Sequence, residues 1–169
     1  MKLRDVKVGF EFSLNDEERK MVSSANPKTT DWKRLSGKFG DFAFKKDTGL
    51  NSIDQQNQYA DHDVFDASDP TMPWGELKIS FEGNVRLSYS EFHAALERFL
   101  RGEDTKIMYA IAVNGRYRID ATFKFSQIKD HLKDTRDASD CFWKGQWIKE
   151  KGKELSVLLL KELELNIEC

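Results

Sequence analysis

Residues 74–81 read WGELKISF. Successive side chains of a strand point to opposite faces. As a strand, this stretch presents Glu76, Lys78 and Ser80 on one side and Leu77, Ile79 and Phe81 on the other. Four carboxylates, Asp61, Asp63, Asp66 and Asp69, lie shortly upstream. A hard divalent cation such as Mg2+ is satisfied by one or two carboxylates because it keeps several of its waters. Such an ion acidifies a bound water and offsets charge developing on a phosphate. A neighbouring ammonium orients the attacking water or neutralises the phosphoryl group. The plain alternative is a surface pair of Glu76 and Lys78 worth a few tenths of a kcal/mol.

The surrounding pattern must supply the elements that hold these groups. Val6, Val8, Phe10, Phe12 and Leu14 alternate with polar residues, which predicts a half-buried strand. Asn15 is placed to cap a short helix over NDEERK. NPKTTDWKRLSGKFGDF carries turn and breaker residues, with a loop expected at Asn26-Pro27, and the polar residues 45–62 read as a long surface loop. Pro70 and Pro73 forbid a regular helix before Trp74. SYSEFHAALERFLRG predicts a helix capped by Ser88 or Ser90, striped by Phe92, Ala95, Leu96, Phe99 and Leu100, and ended by Gly102. KIMYAIAV reads as a central strand covered on both faces. Asn114-Gly115 is a hairpin turn. It leads into a strand with Tyr117, Ile119, Ala121, Phe123 and Phe125 inward, and Arg116, Arg118, Asp120, Thr122 and Lys124 outward. Ser126 caps a further short helix. The tail 154–169 suits a last strand, or a helix over 154–163. The expected fold class is α/β (α+β), a single mixed sheet flanked by helices.

With these pieces in order, the chain resembles the PD-(D/E)xK nuclease superfamily, and within it the small restriction endonucleases of the PvuII type. The matching residues are DVFD at 63–66, GELKIS at 75–80 and YAIAVNGRYRIDA at 109–121. The resemblance covers roughly residues 59–125, a core of restriction-endonuclease type. Residues 1–45 form an N-terminal strand and helix outside it, all within one domain of residues 1–169. The resemblance implies Asp63 or Asp66 as first metal ligand, Glu76 as second, and Lys78 as the catalytic lysine, with Mg2+ as cofactor. Asp63 is preferred as the catalytic aspartate. Bare (D/E)-x-K triplets also occur at 5–7, 18–20, 31–33 and 104–106. Only 76–78 combines preceding aspartates, an apolar strand and a following helix–strand pair.

The same reading makes Arg86, Ser88, Tyr89 and Ser90 phosphate-tracking groups at a helix start. It adds His93, and makes Arg116 and Arg118 a basic ridge on the hairpin strand. Each has an ordinary alternative: a helix cap, a half-buried histidine, a solvated face. His62 and His131 give no zinc spacing. Trp143 and Trp147 are read as core. SGKFGD at 36–41 lacks the order of a phosphate-binding loop.

Bulk properties agree with an ordered globule. The 169 residues carry a net charge of −2, 12 Phe and 4 Trp. A chain of this length buries roughly 70% of its unfolded surface and needs no staples. Two distant cysteines, Cys141 and Cys169, give no disulfide framework, so a reducing cytoplasm is expected. The N-terminus is too polar for a signal peptide, and no run reaches the ~18 apolar residues of a membrane span. The sequence-based expectation is a Mg2+-dependent endonuclease acting on double-stranded DNA, dimeric because two strands need two sites. An RNA-cutting relative is a variant of it. The rival is a non-catalytic interaction protein, a phage inhibitor or immunity protein using Asp61, Asp63, Asp66 and Asp69 as an acidic surface.

Overall fold

A computed structural model describes residues 1–50, 64–79 and 89–129. Five strands form one mixed sheet in the order β1-β5-β4-β3-β2. They are β1 (Glu11–Ser13), β2 (Val64–Phe65), β3 (Trp74–Ile79), β4 (Thr105–Val113) and β5 (Arg116–Lys124). β3 and β4 pair in parallel, and the other three pairings are antiparallel. Helices α1 (Asp16–Ala25), α2 (Trp32–Thr48), α3 (Tyr89–Leu100) and α4 (Phe125–Ile128) complete the described chain. The sheet is covered on both faces, as the mixed α/β expectation required. No helix among the described residues is long and apolar enough to cross a membrane.

One face packs against α2 through Phe12, Ala43, Phe44, Leu77, Met108, Ala110, Tyr117 and Ile119. The other packs against α3 and α4 through Ala95, Ile107, Tyr109, Ala121, Phe123 and Phe125. Residues of β5 therefore divide between two cores, although the alternation placed them on one. The cause is a bulge. Tyr109 pairs with Ala121 but Ala110 pairs with Ile119, so Asp120 is an extra residue in β5. It reverses the parity of every side chain beyond it. Ala121, Phe123 and Phe125 consequently face α3, whereas Tyr117 and Ile119 face α2. Thr122, expected outward, is fully buried opposite Met108.

The N-terminal strand is shorter than the alternation of residues 6–14 suggests. Leu3–Asp5 form a 3-10 turn, and Gly9 adopts φ +93°. Only residues 11–13 pair as a strand. A turn with the Phe10 N–H on the Lys7 carbonyl (3.0 Å) interrupts the expected strand, and Lys106, wholly buried on β4, holds the chain at its start. Its ammonium donates to the carbonyls of Leu3 (3.0 Å), Arg4 (3.3 Å) and Val6 (2.6 Å). Three carbonyls gathered on one cation cannot also alternate along a strand.

The stretch that carries turn and breaker residues is helical from Trp32, and the 17-residue helix α2 runs on to Thr48, into the first residues of the long loop expected over 45–62. Gly37 and Gly40 each weaken a helix by roughly 1 kcal/mol. Burial of Ala43 and Phe44 offsets that, and Gly40 lets the helix approach Ile79 of β3. The capping of α1 is as expected: Asn15 and Glu18 form a reciprocal capping box. α3 ends in a Schellman motif, with Glu103 N–H on the Arg98 carbonyl and Gly102 (φ +87°) on that of Phe99. Its last residue, Leu100, is 75% exposed and is not part of the apolar stripe.

Candidate active site on strand β3

β3 leads through α3 into its parallel neighbour β4, and α3 covers the face that carries Glu76 and Lys78. The register sets Glu76 opposite Ile107 and Lys78 opposite Tyr109, both residues of the core beneath α3. Leu77 on the other face belongs to the α2 core. The alternation read from WGELKI is thus realised. Glu76 is only 3% exposed, which does not fit a surface pair. Lys78 is half-buried and forms an ion pair with Glu91 of α3.

Glu91, Ala95 and Arg98 stand at i, i+4 and i+7, one face of the helix. Glu91 meets Lys78 near the C-terminal end of β3. Arg98 lies over the Trp74 ring at 4.6 Å at its start. Trp74 in turn donates from Nε1 to Glu103 at 2.8 Å. α3 therefore runs antiparallel along β3, and the small Ala95, in the Ile107 cluster, occupies the middle of the contact. Glu91 was not singled out in the sequence. The i, i+4, i+7 spacing with Arg98 was the available signal.

Asp66 is 6% exposed, and its carboxylate is already engaged. It accepts from the Leu3 backbone (2.8 Å), the Ser68 backbone (2.9 Å) and the Ser68 hydroxyl (2.6 Å). Burial acts to raise its pKa, but the Ser68 and Leu3 hydrogen bonds outweigh that and hold it below the ordinary carboxylate value. Asp69 is built the same way, against Thr71, Met72 and Arg4. Both carboxylates close the turns between β2 and β3 and tie down the N-terminus. They face inward and do not form the acidic surface that the interaction-protein reading gave them. Asp61, Asp63, Arg86 and Ser88 lie outside the described residues, as do His62, His131, Trp143, Trp147 and the tail.

Tyr89 and Ser90 are the first two residues of α3, so Ser90 is inside the helix and is not its cap. His93 is half-buried, about 200° around the helix from Glu91. The sheet-facing stripe does not include it. Arg116 and Arg118 pair with Val113 and Ile111, which share the face of Tyr109 and so of Lys78. Two strand spacings, roughly 10 Å, separate β3 from β5. The arginines thus lie across the same sheet face as Glu76 and Lys78. Arg118 is within 3.7 Å of Asp120. Arg19 and Lys46 join Arg116 around a concavity of about 470 Å3 at the hairpin tip, with Glu18 among them. A larger groove of about 900 Å3 lies between α1 and α2, and α2 covers the sheet face opposite to Glu76 and Lys78.

Among the described residues no three His, Cys, Asp or Glu side chains converge as a ligand set. Mg2+ does not need three, and a buried, hard carboxylate such as Glu76 suits it. Asp66 already accepts three internal hydrogen bonds, which leaves it less of its carboxylate to offer an ion. Comparison of the chain with protein families, with characterised proteins and with solved structures returned no match.

Proposed function

We propose that this protein is a Mg2+-dependent endonuclease that hydrolyses phosphodiester bonds of double-stranded DNA. The observation that carries the reading is the pairing on one face of β3. Glu76 is buried and Lys78 is half-buried two residues along, at the crossover into a parallel strand. In open α/β sheets, sites gather at the carboxyl ends of parallel strands. Burying a carboxylate costs several kcal/mol unless it is compensated, and a bound divalent cation is one such compensation.

In this reading Glu76 and Asp63 hold the ion. Asp63 directly precedes β2, whose Val64 pairs with Gly75 beside Glu76. Bound there, Mg2+ supplies charge neutralisation at the phosphate and an acidified water. Lys78 orients the attacking water and offsets charge on the phosphoryl oxygens. Arg116 and Arg118, across the same sheet face, contact backbone phosphates. Two copies related by a two-fold axis would address the two strands.

The test is cleavage of supercoiled, linear and single-stranded DNA with Mg2+ or Mn2+. Glu76→Gln and Lys78→Ala are each expected to lower the rate by at least ~100-fold. Circular dichroism shows whether each variant is folded. Cutting that survives both changes in folded protein would refute the assignment.

A further inference from the structure

The contact of α3 with β3 is fixed at both ends. From Glu91 to Arg98 the helix rises roughly 10 Å, and from Trp74 to Lys78 the strand spans roughly 13 Å. The two spans differ by roughly 3 Å, which the long Lys78 and Arg98 side chains can take up. At the far end Arg98, 4% exposed, lies on the Trp74 ring, and Trp74 is itself anchored to Glu103. Glu91 is thus delivered to Lys78 by a docked helix. The side chains of both partners are mostly covered, at 24% exposure for Lys78 and 21% for Glu91. A lysine has four rotatable bonds and, unrestrained, spreads its ammonium over many positions. A reacting group has to be held within a fraction of an ångström to be effective.

We propose that Glu91 is the positioning residue of the site: its carboxylate holds the Lys78 ammonium on the polar face of β3, beside Glu76. This rests on the nuclease reading above. Glu91 acts through Lys78 and is not a ligand of the metal. The helix α3 then does more than cover the sheet, because its docking through Arg98 and Trp74 sets where Lys78 can reach.

The experiment compares Glu91→Gln, Glu91→Asp, Lys78→Met and the Glu91→Gln/Lys78→Met double variant in the full chain. Three things are measured: cleavage kinetics on a linear duplex with Mg2+, Mg2+ affinity by calorimetry, and the Lys78 ammonium signal in 1H–15N spectra. Glu91→Gln is expected to lower kcat by about 10- to 100-fold, with KM and Mg2+ affinity within about 3-fold of the unaltered protein. Glu91→Asp recovers part of the rate. The double variant is no slower than Lys78→Met alone, because the two residues act as one unit. The ammonium signal, visible while the amine is held, is lost in Glu91→Gln and kept in Glu91→Asp. Losses that multiply in the double variant, or an ammonium signal indifferent to Glu91, would overturn the proposal while leaving the nuclease reading intact. A Mg2+ affinity that falls more than 10-fold would overturn it by making Glu91 a ligand. An unaltered protein that cuts no substrate removes the reaction itself, and both readings fall.

Discussion

Two glycines of one helix should respond oppositely to the same substitution. Gly37 and Gly40 both lie inside α2, and replacing a helical glycine by alanine gains roughly 1 kcal/mol from reduced backbone freedom in the unfolded chain. A methyl on Gly37 meets no atom within 4 Å, so Gly37→Ala should keep nearly the whole gain, about 0.5–1 kcal/mol. A methyl on Gly40 would overlap Ile79 Cδ1, with Tyr117 Cε1 at 3.1 Å and Ile79 Cγ1 at 3.2 Å. Tyr117 cannot yield readily. Its hydroxyl donates to the Ser36 carbonyl at 2.8 Å, and its ring stacks on Phe12. Ile79 must turn or α2 must shift, and overpacking of this kind costs about 1–3 kcal/mol. Gly40→Ala should therefore end about 1 kcal/mol below the unaltered protein and about 2 kcal/mol below Gly37→Ala. In a chain of this size that gap is roughly 4–8 °C in Tm. Urea unfolding of the three proteins, with m-values compared to exclude a changed unfolded state, decides the matter. Equal stabilisation by both alanines would refute the close approach of α2 to β3. Because Ile79 adjoins Lys78, Gly40→Ala also tests whether displacement of β3 reaches the proposed site.

Other perturbations follow from the same geometry. Lys106→Met strips three carbonyls of their buried donor and should cost about 3 kcal/mol; faster amide hydrogen exchange around residues 3–6 would locate the damage. The Asp66 carboxyl is held below its ordinary value of 3.8, so its stabilisation is present above that pH and is lost as the pH falls below it. Asp66→Asn should cost about 1–3 kcal/mol at pH 7, and the gap to the unaltered protein should close on acidification below about pH 3.8, read from urea unfolding across that range. Gly115, at φ +75° in the hairpin turn, should lose about 1–2 kcal/mol on substitution by alanine, whereas Asn114 at φ +51° tolerates its conformation better. Thermal unfolding of Gly115→Ala and Asn114→Ala gives the comparison.

Much of the architecture is legible in the chain because it is written in local chemistry. The capping box of Asn15 and Glu18, the turn at Asn114-Gly115, the stop at Gly102 and the alternation of WGELKI each depend on a few neighbouring residues. The pairing of an acid and a lysine on one face of β3 follows from strand periodicity alone. Tertiary context decided the rest. Residues 6–14 read as one alternating strand, but only 11–13 pair as one, and Lys106, a hundred residues away, draws the carbonyls of Leu3 and Val6 together at its start. The glycines of α2 read as breakers because the strand surface they pack against is absent from their own stretch of sequence. One inserted residue, Asp120, sends half of β5 to the opposite core, and only the register with β4 reveals it. Asp66 and Asp69 resemble ligands in sequence, but in the fold they are buried and accept hydrogen bonds from Leu3, Ser68, Thr71 and Arg4. Glu91, thirteen positions beyond Lys78, joins it only when α3 folds back along β3. Sequence determines which groups are available and the periodicity that presents them. The packed fold determines which of them meet, because contact between distant residues is fixed by register and burial, and neither is a property of any short segment.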